Sequence, residues 1–183
     1  MNSNIQVRDL LPQDIPLIAD YWLHSSNEHL EGMGVDLNKL PKREDLVQML
    51  ESQLQLDDDQ KASLALIVAV DGKAAGHCNV NQITFGKEAT MHLHLWNSDI
   101  RHKGIGTEMV LKSIPQFFER LQLKTLWCEP YAHNPAPNKT LQKIGFEFVK
   151  TYICVPGSLN FEQEVNQYKL SRENLEKIQR DHT

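Results

Sequence analysis

Arg101-His102-Lys103-Gly104-Ile105-Gly106-Thr107 follows the apolar, strand-like run Met91 to Trp96 and opens a long amphipathic segment. A basic residue, two glycines one apart and then a helix make a turn whose backbone N–H groups can converge on an anion. The unpaired first-turn donors and the helix dipole favour phosphate there. Glycine places no Cβ between the backbone and such a ligand. The stretch lacks the third glycine of the dinucleotide fingerprint and the Gly-Lys-Ser/Thr of the Walker loop. Glycine-rich turns also open many helices for structural reasons alone, so the reading rests on what lies downstream.

Downstream, Glu129-Pro130 closes a short apolar strand. Then comes Asn134-Pro135-Ala136-Pro137-Asn138-Lys139-Thr140-Leu141-Gln142-Lys143-Ile144-Gly145-Phe146, with Asn134 eleven residues before Gly145. Taken singly, Gly145 is accounted for by helix termination and Asn134 by helix capping. Together and in this order, the two stretches resemble the GCN5-related N-acetyltransferase (GNAT) superfamily. The first resembles its Arg/Gln-x-x-Gly-x-Gly/Ala pyrophosphate loop. The second is similar to its Asn-x-x-Ser/Ala signature followed by Lys-x-Gly-Phe, in the pattern of the ribosomal-protein-alanine and aminoglycoside acetyltransferase branch.

The resemblance implies an α/β (α+β) fold: a mixed, mostly antiparallel sheet of about seven strands, splayed between the fourth and fifth, with about four to five flanking helices. It implies an acetyl-CoA-dependent N-acetyltransferase working by direct attack in a ternary complex, with the pantetheine arm in the splay. The pyrophosphate would lie on the backbone of Arg101, His102, Lys103, Gly104, Ile105, Gly106 and Thr107, the Arg101 and Lys103 side chains adding charge. Leu95, beside Trp96 at the strand end, would polarise the thioester carbonyl through its N–H. Asn134 would support the cofactor arm. Pro137 stands where the family has Ser or Ala, so Asn138 would take over a polar contact. Leu141 stands where many relatives carry a thiolate-protonating Tyr, and Tyr131 and Tyr152 are the available substitutes.

Acetyl transfer to an amine needs a proton removed, a carbonyl polarised and a thiolate stabilised. His92 and His94 share one strand face, and an unperturbed imidazole titrates near neutrality. They are candidate bases, or else polar strand residues satisfied by neighbours. Glu129 is the other candidate base or substrate anchor. His92-x-His94 lacks a third ligand at a recognisable spacing, so no metal is expected. In such folds the connection between the first two helices, together with the last strands, selects the acceptor. Here Tyr21 to Pro41 carries Trp22, Glu28 and Met33, with His24, His29, Glu31 and Asp36 beside them. The acids there suit a positively charged amine or belong to a solvated loop.

The 183 residues fit one domain, 1–183, with 40% hydrophobic and 23% charged residues. A formal charge of −5 argues against a nucleic-acid partner. Cys78, Cys128 and Cys154 are odd in number and widely spaced, as in a reducing compartment. No signal peptide or membrane-length apolar run is seen, so the expectation is a cytoplasmic protein without a membrane partner. The acceptor would be a small-molecule amine or a protein N-terminus. A homodimer is compatible with the chain but not specified by it. The alternative class is a non-catalytic acyl-CoA-binding or sensory domain on the same scaffold, and a third is an unrelated α/β binding module.

Hydrophobic periodicity predicts strands at Ile5–Leu10, Leu64–Val70, Ala75–Ile83, Ala89–Trp96, Thr125–Cys128, Phe146–Val155 and Phe161–Leu170. Helices are expected from Asp14, over Arg43–Leu54, from Gly104 with a kink at Pro115, over Lys139–Lys143, and in the tail after Ser171. Asp71-Gly72 is a hairpin signal. Ser25 to Lys42 reads as a long connection or broken helices.

Overall fold

The computed structural model describes residues 4–101 and 104–181. In chain order its elements are β1 (Ile5–Asp9), α1 (Ile15–His24), α2 (Asn27–Gly32), α3 (Arg43–Leu54), β2 (Ser63–Val70), β3 (Lys73–Thr84) and β4 (Glu88–Leu95). They continue with α4 (Ile105–Arg120), β5 (Thr125–Cys128), α5 (Pro135–Ile144), β6 (Glu147–Cys154), β7 (Gln163–Ser171) and α6 (Arg172–Asp181). The strands form one sheet of seven in the order β1-β2-β3-β4-β5-β7-β6. Among the described residues, only the β4–β5 pair is parallel. Six helices are described, more than expected, because part of the 25–42 connection coils into α2.

Local chemistry sets these boundaries. Asp71 and Gly72, with φ of 50° and 80°, make the two-residue primed turn that joins β2 to β3. Gly145 ends α5 at φ 106°, and its N–H and that of Phe146 return to Leu141 O at 3.1 and 3.0 Å. Pro115 lies inside the uninterrupted helix α4, where its ring has no N–H to offer Leu111 O.

The apolar run of β2 is covered on both faces. Leu64, Leu66 and Val68 join Cys78, Val80 and Met91 against Met109, Val110, Ile114, Phe117 and Phe118 of α4. Ile67 and Ala65 on the opposite face meet Ile18, Ala19, Leu46 and Leu50 of α1 and α3. A run buried on both faces needs no alternation, which is why β2 reads as continuously hydrophobic.

One topological fact positions the site. β4 pairs with β5 only from Glu88–Thr90 to Thr125–Trp127, whereas its pairing with β3 continues to Leu95. From Met91 onward the sheet is open between β4 and β5, and the backbone edge of β4 faces the opening.

Candidate active site

A cavity of about 380 Å³ lies at this opening. Its floor is the polar face of two paired strands: His77, Asn79 and Asn81 of β3 beside His92 and His94 of β4. Strand alternation puts these residues on one side, since the period is two. Glu129 and Tyr131 enter from the end of β5, and Asn134 from the start of α5. Trp22, Leu46, Met49 and Leu50 of α1 and α3 form the apolar wall, with Met33 beside them.

The floor is internally hydrogen-bonded. His92 Nε2 lies 2.9 Å from Asn81 Oδ1. An amide oxygen only accepts, so Nε2 carries the hydrogen and Nδ1 keeps its lone pair. Trp96 Nε1 donates to His77 Nδ1 at 2.8 Å. The His77 and His94 rings stack with centroids 4.6 Å apart. His94 Nδ1 also lies 3.3 Å from the Tyr21 hydroxyl, itself 3.1 Å from His29 Nε2. Burial drives all four imidazoles toward the neutral form: His77 falls to about 3 and His92 to about 4. His94 lies well below its usual range through burial and then its histidine neighbours; His29 is lowered by burial and then by Arg101. Glu129 acts in the opposite sense on His92, favouring its charged form. Burial also raises the Tyr21 hydroxyl.

At the far end of β4, the N-terminus of α4 opens to solvent. Gly104 adopts the left-handed conformation at φ 79°, and a Cβ built there would meet nothing within 4 Å. Glu108 N–H bonds back to Gly104 O at 3.2 Å, closing the first turn of α4. The amides of Ile105, Gly106 and Thr107 precede it and point out of the first turn. Trp96 N–H bonds to Ala75 O of β3 at 2.9 Å, so the neighbouring N–H of Leu95 turns the other way, into the opening. The first turn of α4 stands beside the end of β4: a Cβ on Gly106 would lie 3.9 Å from the Leu95 side chain. Such a helix end suits an anion.

The family profile described as "Acetyltransferase (GNAT) domain" matches residues 4–147. The chain belongs to the GNAT acetyltransferases. Solved structures agree at the level of fold. The RimL ribosomal-protein alpha-N-acetyltransferase in complex with coenzyme A is 15% identical, with a TM-score of 0.75 over 94% of this chain and 97% of that one. A spermidine N-acetyltransferase from Vibrio cholerae, with CoA and spermine, is 14% identical, with a TM-score of 0.75 over 93% and 97%. Aminoglycoside acetyltransferase AAC(6')-Ib, with coenzyme A and kanamycin, is 16% identical, with a TM-score of 0.73 over 95% and 98%. No curated protein sequence matches the chain.

Within this GNAT frame the expected residues divide. His92, His94, Glu129, Tyr131, Asn134, Trp22 and Met33 all line the cavity. Asn134 begins α5 without a side-chain capping bond, so capping does not account for it. His102 and Lys103 lie outside the described residues.

Four of the expected side chains are engaged within the protein or lie outside the cavity. Trp96 points its indole to His77 and packs with the α1–α3 cluster. The Arg101 guanidinium turns inward: its Nε and one terminal nitrogen donate to Leu95 O at 3.3 and 2.9 Å, and both terminal nitrogens lie 3.1 Å from His29. Asn138 is buried with both amide ends engaged: Nδ2 donates to Tyr131 O and Asn134 O, and Oδ1 accepts from Asn166 and Tyr168. It braces the β5–α5 corner and keeps no polar capacity for a ligand. Glu28 is exposed on α2 and does not line the cavity.

The tyrosines also separate. Tyr152 donates its hydroxyl to Glu129 Oε1 at 2.7 Å, and burial followed by that bond raises its pKa. Leu141, at the usual tyrosine position, is fully buried in the main core. Tyr131 is the tyrosine that lines the cavity among the described residues. Sequence reading missed His77, Asn79, Asn81 and the part played by Tyr21. The polar alternation of His77, Asn79 and Asn81 repeats that of His92 and His94, and this was the available signal.

Proposed function

We propose that this protein transfers the acetyl group of acetyl-CoA to a primary amine by direct attack in a ternary complex, with residues 1–183 acting as one domain. The observation that carries the reading is the arrangement along β4: the α4 first turn beside its end, Leu95 N–H at the β4–β5 opening, and His92 three residues back on the cavity floor. The thioester of acetyl-CoA supplies an activated carbonyl. The amides of Ile105, Gly106 and Thr107 bind its phosphates, Asn134 steadies the arm, and Leu95 N–H polarises the carbonyl oxygen.

The acceptor arrives as an ammonium ion against Glu129. Nδ1 of His92 first takes a proton from the ammonium, freeing its lone pair; the neutral nitrogen bonds to the carbonyl carbon, and the C–S bond breaks as the adduct loses its second nitrogen proton to solvent. Tyr131 gives its hydroxyl proton to the departing thiolate and regains one from solvent. Glu129 favours the charged form of the His92 imidazole, offsetting part of the burial that makes it a weak base.

The cytoplasm is the compartment that suits the free thiols of Cys78, Cys128 and Cys154. Exposed Phe148, Ile153 and Val155 on and just after the edge strand β6 support pairing with a second copy. Among the described residues, no helix is long and apolar enough to cross a membrane. The buried Leu141 favours the second reading, an acyl-CoA-binding domain without turnover. Incubation with acetyl-CoA and amines, followed by thiol titration and mass spectrometry of the amine, separates the two. Amine-dependent thiol release with an acetylated product supports the enzyme. Tight acetyl-CoA binding without product from any amine supports the binding domain.

A further inference from the structure

The cavity lining also bears on which amine is accepted, an inference that rests on the acetyl-transfer reading above. Among the described residues that line the cavity, Glu129 is the one carboxylate, and no lysine or arginine is present. Glu129 is already held by Tyr152 and by Gln167 Nε2 at 2.6 Å, both through Oε1. It offers one anionic oxygen, Oε2, to one cation. Glu28 and Glu31, which the sequence placed near the acceptor, are exposed and outside the lining. Asp36 turns its Oδ1 to Asn38 N–H at 3.1 Å, capping a short turn.

The rest of the acceptor side is uncharged. The wall of Ile18, Leu46, Met49 and Leu50 is apolar, and Trp22 lays its ring 4.9 Å from that of His94. A second ammonium on the acceptor would leave water for amide, hydroxyl and imidazole groups alone, with no second carboxylate to balance its charge. The apolar wall rewards a hydrocarbon or aromatic body instead. At about 380 Å³, shared with the reacting end of the acetyl donor, the space suits a compact molecule.

We infer that the acceptor is a monoamine with a compact apolar body, carried on Glu129 by its single positive charge and against Met49 and Leu50 by its hydrocarbon. Polyamines and aminoglycosides, with several cations each, are disfavoured. The shared chemistry, one amine on an apolar group, occurs in free arylalkylamines and in peptides that begin with an apolar residue.

The test uses the full-length protein, acetyl-CoA and four acceptors: 2-phenylethylamine, a tripeptide beginning with leucine, spermidine and kanamycin. The expected result is a kcat/KM for one of the first two at least about tenfold above spermidine and kanamycin. Whichever of the two leads identifies the source of the amine. Met49→Glu, at a partly exposed rim position, should narrow the gap by raising spermidine turnover while leaving the KM for acetyl-CoA unchanged. Spermidine or kanamycin equal to or better than both apolar amines overturns the inference, while acetyl-CoA binding with no turnover of any of the four brings down the acetyl-transfer reading beneath it. Failure to bind acetyl-CoA at all brings down the underlying reading, and the inference falls with it.

Discussion

Asn81 and His92, on adjacent strands, are joined through Oδ1 and Nε2 at 2.9 Å, and this contact fixes the tautomer of His92, leaving the lone pair on Nδ1. His92→Ala should lower kcat by about a hundredfold or more, the range of a lost general base. Asn81→Ala should cost about tenfold in kcat with the KM for acetyl-CoA unchanged, because the tautomer is no longer held. Asn81→Asp would place a carboxylate on Nε2, raise the His92 pKa and move the acid limb of the pH–rate profile upward. A merely structural Asn81 would leave that limb where it is.

Arg101 closes the end of β4 onto α2. Its contacts to Leu95 O and His29 keep the strand end in place while Leu95 N–H points to the opening. Arg101→Met removes hydrogen bonds from a charged donor, worth about 1.5–3 kcal/mol each. The expected outcome is a raised KM for acetyl-CoA and a lower melting temperature, read by steady-state kinetics and calorimetry. Loss of affinity without any loss of stability would instead indicate direct contact with phosphate.

The histidine floor makes stability depend on pH above the usual carboxylate range. His77 falls to about 3 and His92 to about 4 in the folded protein, against 6.5 for an exposed imidazole. Between those values the unfolded chain binds more protons, so stability is fully present above pH 6.5 and is lost as pH falls toward 4. Each such histidine contributes a slope of about 1.4 kcal/mol per pH unit within its window. Melting temperatures measured from pH 7.5 to 4.5 should decline through this window. His77→Asn, which keeps an acceptor for Trp96, should flatten part of the decline.

Gly76 marks a close approach of β3 to β4. A Cβ there would collide with the backbone oxygen of His94, which cannot swing aside like a side chain. Gly76→Ala should destabilise by about 1–3 kcal/mol, the range for overpacking, and disturb the His77–His94 stack. Thermal denaturation measures the first effect. Unchanged stability would show that the strands separate without cost.

The fold was legible where its chemistry is local. Arg101 to Thr107 and Asn134 to Phe146 are continuous stretches whose turns and caps are written in adjacent residues. Asp71-Gly72 likewise announced its hairpin. What stayed hidden depends on register and direction. Arg101 reads as a phosphate ligand until the Leu95 carbonyl and His29 are seen to claim it. Asn138 reads as a replacement for the missing Ser or Ala until Tyr168 and Asn166 occupy its oxygen. Trp96 sits at the end of β4 as expected, but its indole points to the histidine face. The connection 25–42 gave no periodicity long enough to separate α2 from loop, and its acids proved to face solvent at Glu28 and Glu31.

The central claim is that the α4 N-terminus holds the phosphates of acetyl-CoA, and calorimetric titration of acetyl-CoA into the wild type and Gly106→Glu tests it most directly. Gly106 lies in the first turn, where a Cβ would meet only the Leu95 side chain at 3.9 Å, and an acid there suits the helix dipole, so the variant should fold. The account predicts saturable binding to the wild type and at least about a hundredfold weaker binding to the variant. Equal affinity in the two proteins, with both folded, would contradict it.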